Sequence, residues 1–165
     1  MALTIENGVV VPNANTYADL ATVTAYHAAR GNSGWLASSE DAEPAILRAM
    51  NYIESRPWKG QKTAYSNPLC WPRTGVVDRE QFDVPADTVP AGVISALCEA
   101  ALRELVKPGC LAPDLERGGR ILSDSIAGVS TSYEQGAPAG TTFASITNAL
   151  AGLVKGSACV EIGRG

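Results

Sequence analysis

The chain has 165 residues, 45% of them hydrophobic and 18% charged, with a formal net charge of -4. That is the size of one domain able to fold without staples, burying roughly 70% of the surface its unfolded form exposes. The composition excludes both the low hydrophobicity of a disordered chain and the strongly basic balance of a general nucleic-acid binder. No stretch approaches the about 18 apolar residues of a membrane span, and the opening "MALTIENGVVVPNANTY" has neither the basic nor the long apolar part of a signal peptide. The expected setting is a cytosol.

The first 15 or so residues read as extended. From Tyr17 the pattern turns helical, with Leu20, Val23 and His27 at i, i+3 and i+7, and "ARGNSG" stops it at Gly31 and Gly34. The segment "SSEDAEPAILRAMNYIESRP" predicts a second helix with a Ser cap, acids in its first turn, and Ile46, Met50 and Ile53 on one stripe, ended by Pro57. An irregular segment then runs from Pro57 to Pro90, where Trp58, Tyr65 and Trp71 stand among prolines and charges. From Pro90, "AGVISALCEAALRELVKPG" is the strongest helix in the chain, carrying Ile94, Leu97, Ala101 and Leu105 at helical spacing and ending at Pro108 and Gly109.

After it, "RILSDSIAGVSTSYEQG" alternates, with Ala127 and Gly128 between the halves of a short hairpin. A two-stranded ribbon alone is marginally stable, so it should pack on the helices or add to a neighbouring chain's strand. The last helix, "TTFASITNALAGLVK", repeats Phe143, Ile146, Leu150 and Leu153 along a seam narrower than a core helix shows, and a glycine-rich tail follows. The predicted fold class is mainly α: a small helical bundle with a long ordered Pro/Trp loop, a short β-hairpin, and a C-terminal helix or extended arm. The expected organisation is a helical core over residues 1–115 that includes the 57–90 loop, a hairpin extension over 116–136, and a docking helix with tail over 137–165.

The signatures of catalysis are missing. His27 is the one histidine and shares a stripe with Leu20 and Val23, which reads as packing. Cys70, Cys98, Cys110 and Cys159 form no C-x-x-C pair and read as reduced packing residues. No serine sits in a G-x-S-x-G elbow, no phosphate-binding glycine motif exists, and Gly118-Gly119 reads as a turn. The expectation is a non-enzyme without metal or cofactor.

What remains is a charge block. Residues 48–79 hold two acids against six bases, whereas residues 1–47 hold five acids and one base. Arg48, Arg56, Lys59, Lys62, Arg73 and Arg79 form a basic island interleaved with Tyr52, Trp58, Tyr65 and Trp71, the mixture by which single-stranded nucleic acid is held, cations along the backbone and rings under the bases. The competing reading has the Trp rings anchoring the loop to the helices.

Four stretches carry a family resemblance: "MALTIENGVVVPNANTY", "AYHAARG", "LCWPRTGVVDREQFDVPADTVPAGVISALCEAALREL" and "PDLERGGRILSDSIAGVSTSYEQGAP". In that order they resemble the small head-to-tail connector (adaptor, neck) proteins of tailed phages, members of which are often labelled DnaT-like single-stranded DNA-binding proteins. The resemblance implies a mostly helical protomer forming a ring, by analogy a homododecamer, under the portal protein. Duplex DNA would pass through its lumen without sequence recognition, and tail-completion, stopper or tail-tube proteins would dock below. The implied location is the virion neck, assembled in the host bacterial cytoplasm with no membrane involved. On this reading Trp58, Trp71, Pro72 and Arg73 position the loop, while Phe143, Ile146, Leu150 and Leu153, with Val160 and Ile162 of the tail, dock on the portal or an adjacent subunit. The alternative is a single-stranded DNA-binding accessory protein of replication using Arg56, Lys59, Lys62, Arg73 and Arg79.

Overall fold

The computed structural model describes residues 2–36, 40–114, 123–126, 129–132 and 141–156. Among the described residues there are five helices: α1 (Leu20–Ala28), α2 (Ser33–Leu36), α3 (Ala42–Glu54), α4 (Ala91–Val106) and α5 (Ala144–Ala149). Two small antiparallel pairs accompany them, β1 (Gln61–Lys62) with β2 (Arg73–Thr74), and β3 (Ser123–Ile126) with β4 (Val129–Ser132). The chain is mostly helical with a short hairpin.

α4 is the axis around which the other helices pack, most extensively α3 and then α5. It buries Val93, Ala96, Leu97, Cys98, Ala100 and Ala101, and α3 faces it with Ala45, Ile46, Ala49, Met50 and Ile53. Alanines on both sides bring the helices close, while each fully buried Ile, Leu, Val or Met contributes about 1.5–3 kcal/mol. The buried Glu104 on α4 is satisfied by the amides of Gly109 (2.7 Å) and Leu111 (3.1 Å) and by Arg48 Nε (3.1 Å), which ties the end of α4 to α3. At the other end Gly92 lets α5 approach: a Cβ there would lie 2.5 Å from the carbonyl oxygen of Ala149.

Several helix ends differ from the sequence reading. Gly34 does not stop the chain but lies within α2, whose Trp35 is buried and donates to Thr24 Oγ1 at 3.0 Å. The N-cap of α3 is Asp41, which makes no side-chain capping bond, in place of the expected Ser. α5 is shorter than its periodicity suggests because the chain turns at Gly152, whose φ is +91. A Cβ there would meet Arg79 Cγ at 2.4 Å.

The strands lie on either side of positions 127 and 128, as expected, with Ile126 pairing with Val129 and Ser123 with Ser132. Among the described residues, β3 and β4 make substantial contact with each other only. The C-terminal segment joins the core: Val154 bridges Trp58, Lys59 N–H donates to Leu153 O (3.0 Å), and Lys155 N–H donates to Pro57 O (2.6 Å).

Candidate functional site

The Pro57–Pro90 segment is fixed to the helices by buried polar bonds as well as by its rings. Tyr17, just before α1, donates its hydroxyl hydrogen to Glu54 at the end of α3 and accepts from the Trp71 amide at 3.0 Å. The second Glu54 oxygen accepts from the Cys70 amide at 2.7 Å. Burial first, then the neighbouring Glu54 charge, push the Tyr17 phenol far above its ordinary range, so it stays a donor. Trp71 is fully buried, precedes Pro72 through a cis peptide, and meets Trp58 edge to face with ring centroids 5.6 Å apart.

Arg73 completes the clamp. Its Nε donates to Lys59 O (2.6 Å) and its two terminal nitrogens donate to Gly60 O (2.8 Å) and Cys70 O (3.0 Å), so one planar guanidinium gathers carbonyls from both sides of the β1–β2 pair. Beyond β2 a second turn runs from Val76 to Val84, closed by Asp78 N–H to Phe82 O (2.9 Å) and Val84 N–H to Val76 O (2.9 Å). Asp78 Oδ1 accepts from the amides of Glu80 (2.8 Å) and Phe82 (2.9 Å), an Asx-type turn that leaves the Phe82 ring 66% exposed.

The sequence-predicted residues therefore divide. Trp58, Trp71, Pro72 and Arg73 are buried in the protomer and form one cluster. Arg73, at 8% exposed with three carbonyl partners, is withdrawn from any phosphate, which corrects its place among the DNA contacts. Arg56 lies half-buried with its guanidinium 4.0 Å from the Tyr52 ring centroid, and Lys59 Nζ reaches Val77 O at 3.5 Å. Lys62 is exposed and donates to Asn67 O (3.1 Å), and Arg79 is exposed with its stem against Gly152.

The docking seam is also corrected. Ile146, Leu150 and Leu153 are buried in the chain's own core, and Phe143 packs edge-on to Tyr52 with centroids 6.1 Å apart, so the seam closes on the protomer instead of facing outward. α5 has six residues, and among the described elements it packs chiefly on α4, so a narrow stripe suffices. Val160 and Ile162 lie outside the described residues. The sequence reading missed the exposed Phe82, which the turn chemistry of "VDREQF" could have flagged, and the Tyr17–Glu54 clamp, which no local pattern signals.

Other reactive side chains are engaged structurally. His27 is fully buried between Cys98 O (3.0 Å to Nε2) and the Asn32 amide (3.0 Å to Nδ1), stacked on Trp35, and burial lowers its pKa below the usual imidazole value. Burial raises the Cys70 thiol to about 11 and the Cys98 thiol to about 12, which keeps both protonated. Glu99 is held below the usual carboxylate range: burial pushes it up, but hydrogen bonds from Arg103, Tyr26 and Ser145 together with the Arg103 charge outweigh it. Among the described residues no three His, Cys, Asp or Glu side chains converge as a metal site would require.

No curated protein and no solved structure matches the chain. A family model described as "Putative DnaT-like ssDNA binding protein" matches residues 1–165.

Proposed function

The chain belongs across residues 1–165 to this DnaT-like family, and within it we propose that the protein serves as a structural head-to-tail connector of a tailed phage. It would form a ring under the portal, let genomic DNA pass through the lumen, and present a surface on which tail-completion, stopper or tail-tube proteins dock in the virion neck. The observation that carries this reading is the internal use of the basic island. Trp58 and Trp71 face the core and Arg73 binds main-chain carbonyls, so two of the rings and one of the cations that could have held a single strand are withdrawn from the surface. The loop that results is a fixed outline bearing exposed Tyr65 and Phe82, the type of rigid aromatic that anchors protein interfaces. A net charge of -4 favours a wall along which DNA slides over one that grips phosphates.

The family's description favours a second reading, single-stranded DNA binding. Of the predicted contacts it retains Arg56, Lys59, Lys62 and Arg79, with Tyr65 as the exposed ring. Native mass spectrometry of the full chain with and without the candidate portal, beside a single-strand titration at low and physiological salt, separates the two. A portal-dependent ring with negligible DNA affinity supports the connector. A monomer that ignores the portal and binds single strands at micromolar or better affinity overturns it in favour of the second.

A further inference from the structure

The β3–β4 ribbon is a two-stranded sheet with two outer edges. Its eight strand residues are Ser123, Asp124, Ser125 and Ile126 against Val129, Ser130, Thr131 and Ser132, with no Lys, Pro or bulge; of the devices by which natural sheets blunt an exposed edge, the sequence of the strands offers only their shortness and the one charge of Asp124. Neither strand pairs with a third among the described residues. A hairpin of two strands is marginal by itself.

The register fixes which amides look outward. Ile126 and Val129 flank a two-residue connection, and residues in that position exchange both main-chain bonds. Pairs alternate along an antiparallel ladder, so Asp124 and Thr131 do the same. The amides of Ser123 and Ser125 therefore point to the outer edge of β3, and those of Ser130 and Ser132 to the outer edge of β4.

We propose that these edges pair copy to copy, β4 of one protomer against β3 of the next, so that hairpins from successive subunits form a continuous β-ring. The occupant is a second copy of this chain because a foreign strand fills one edge and leaves the other open, whereas head-to-tail repetition satisfies both edges of every hairpin and closes when the rotation closes. Asp124 is the only charge in the strands, so identical ribbons meet with little electrostatic opposition. The inference rests on the ring reading given above.

The test uses the full chain assembled with the portal. Ser130→Pro removes an outward amide, a change an edge strand tolerates, and Ser130→Ala is the control. Ser130→Ala is expected to form rings like the wild type, and Ser130→Pro to need at least tenfold higher concentration, with the thermal midpoint of the free protomer unchanged. In wild-type rings, amide exchange at Ser125 and at Ser130 is expected to slow at least tenfold relative to the free protomer. Undiminished ring formation by Ser130→Pro, or exchange unchanged at both edges, overturns the inference and leaves the connector standing. Protection of one edge alone shows a foreign strand and overturns it too. Failure of the wild type to form any ring with the portal overturns the connector and this inference together. The exchange measurement decides the matter even if the Pro variant does not fold.

Discussion

Arg73→Ala separates the structural role of the basic island from a DNA-binding one. The substitution removes three charge-assisted donors and leaves the carbonyls of Lys59, Gly60 and Cys70 without them. A hydrogen bond to a charged group is worth about 1.5–3 kcal/mol, but the three share one side chain and water can reach the half-buried Lys59 and Gly60, so about 3–4 kcal/mol for the whole cluster is the appropriate size. A domain of this length loses about 2–4 °C per kcal/mol, giving a fall in thermal midpoint of roughly 6–16 °C. Arg73→Lys keeps the charge but not the planar fork, and is expected to recover less than half of the loss. Urea unfolding with an unchanged m-value measures this, read beside single-strand affinity of the folded variant. A loss under about 1 kcal/mol, accompanied by clearly weaker DNA binding, would refute the assignment of Arg73 to the interior.

Three further outcomes follow from individual sites. His27 has its pKa lowered by burial, so the unfolded chain binds its proton first: the stability present above about pH 6.5 is lost as pH falls from there through the lower folded value. The drop in urea midpoint between pH 7.5 and 5.5 is therefore expected to shrink in His27→Gln, and an unchanged drop counts against it. Gly152→Ala forces a Cβ to 2.4 Å from Arg79 Cγ at φ +91 and is expected to cost about 2 kcal/mol or more, against about 1 for Gly31→Ala, which has a similar positive φ but open space, both read by chemical denaturation. In a Cys159→Ser background, Cys70 is expected to alkylate at least tenfold slower at pH 8 than a free thiol and Cys98 only on unfolding, given thiols raised to about 11 and about 12, with mass spectrometry of a timed iodoacetamide reaction as the check.

What the sequence made legible was what repeats locally. α3 and α4 follow from apolar spacing, and the β3–β4 hairpin follows from alternation around Ala127 and Gly128. The burial of His27 could also be read from its stripe with Val23. The clamp on Trp71 could not, because Tyr17, Glu54 and Arg73 lie far apart in the chain and only the packing of α3 against the entry to α1 brings the first two together. The seam of α5 shows a different failure. Spacing correctly marked Phe143, Ile146, Leu150 and Leu153 as one apolar stripe, but a stripe says only that something covers it. The cover is supplied within the chain, where Gly92 lets α5 sit directly on α4.

The same packing limits what the basic island can do outside. Of its six bases, Arg48 is paired with Glu104 at 3.1 Å and Arg73 is enclosed by carbonyls. Arg56 also leans on the Tyr52 ring, which keeps its charge near the surface while fixing its direction. At most Arg56, Lys59, Lys62 and Arg79 could neutralise phosphates. Each phosphate contact on a single strand contributes about -0.7 to the slope of log K against log salt, so binding through the island alone can be no steeper than about -3. A measured slope well beyond that would require cations from elsewhere in the chain, and the island would then not be the binding site. A slope within it, without stacking from Trp58 or Trp71, leaves an affinity that physiological salt readily competes away, which suits a wall that DNA passes better than a protein that holds it.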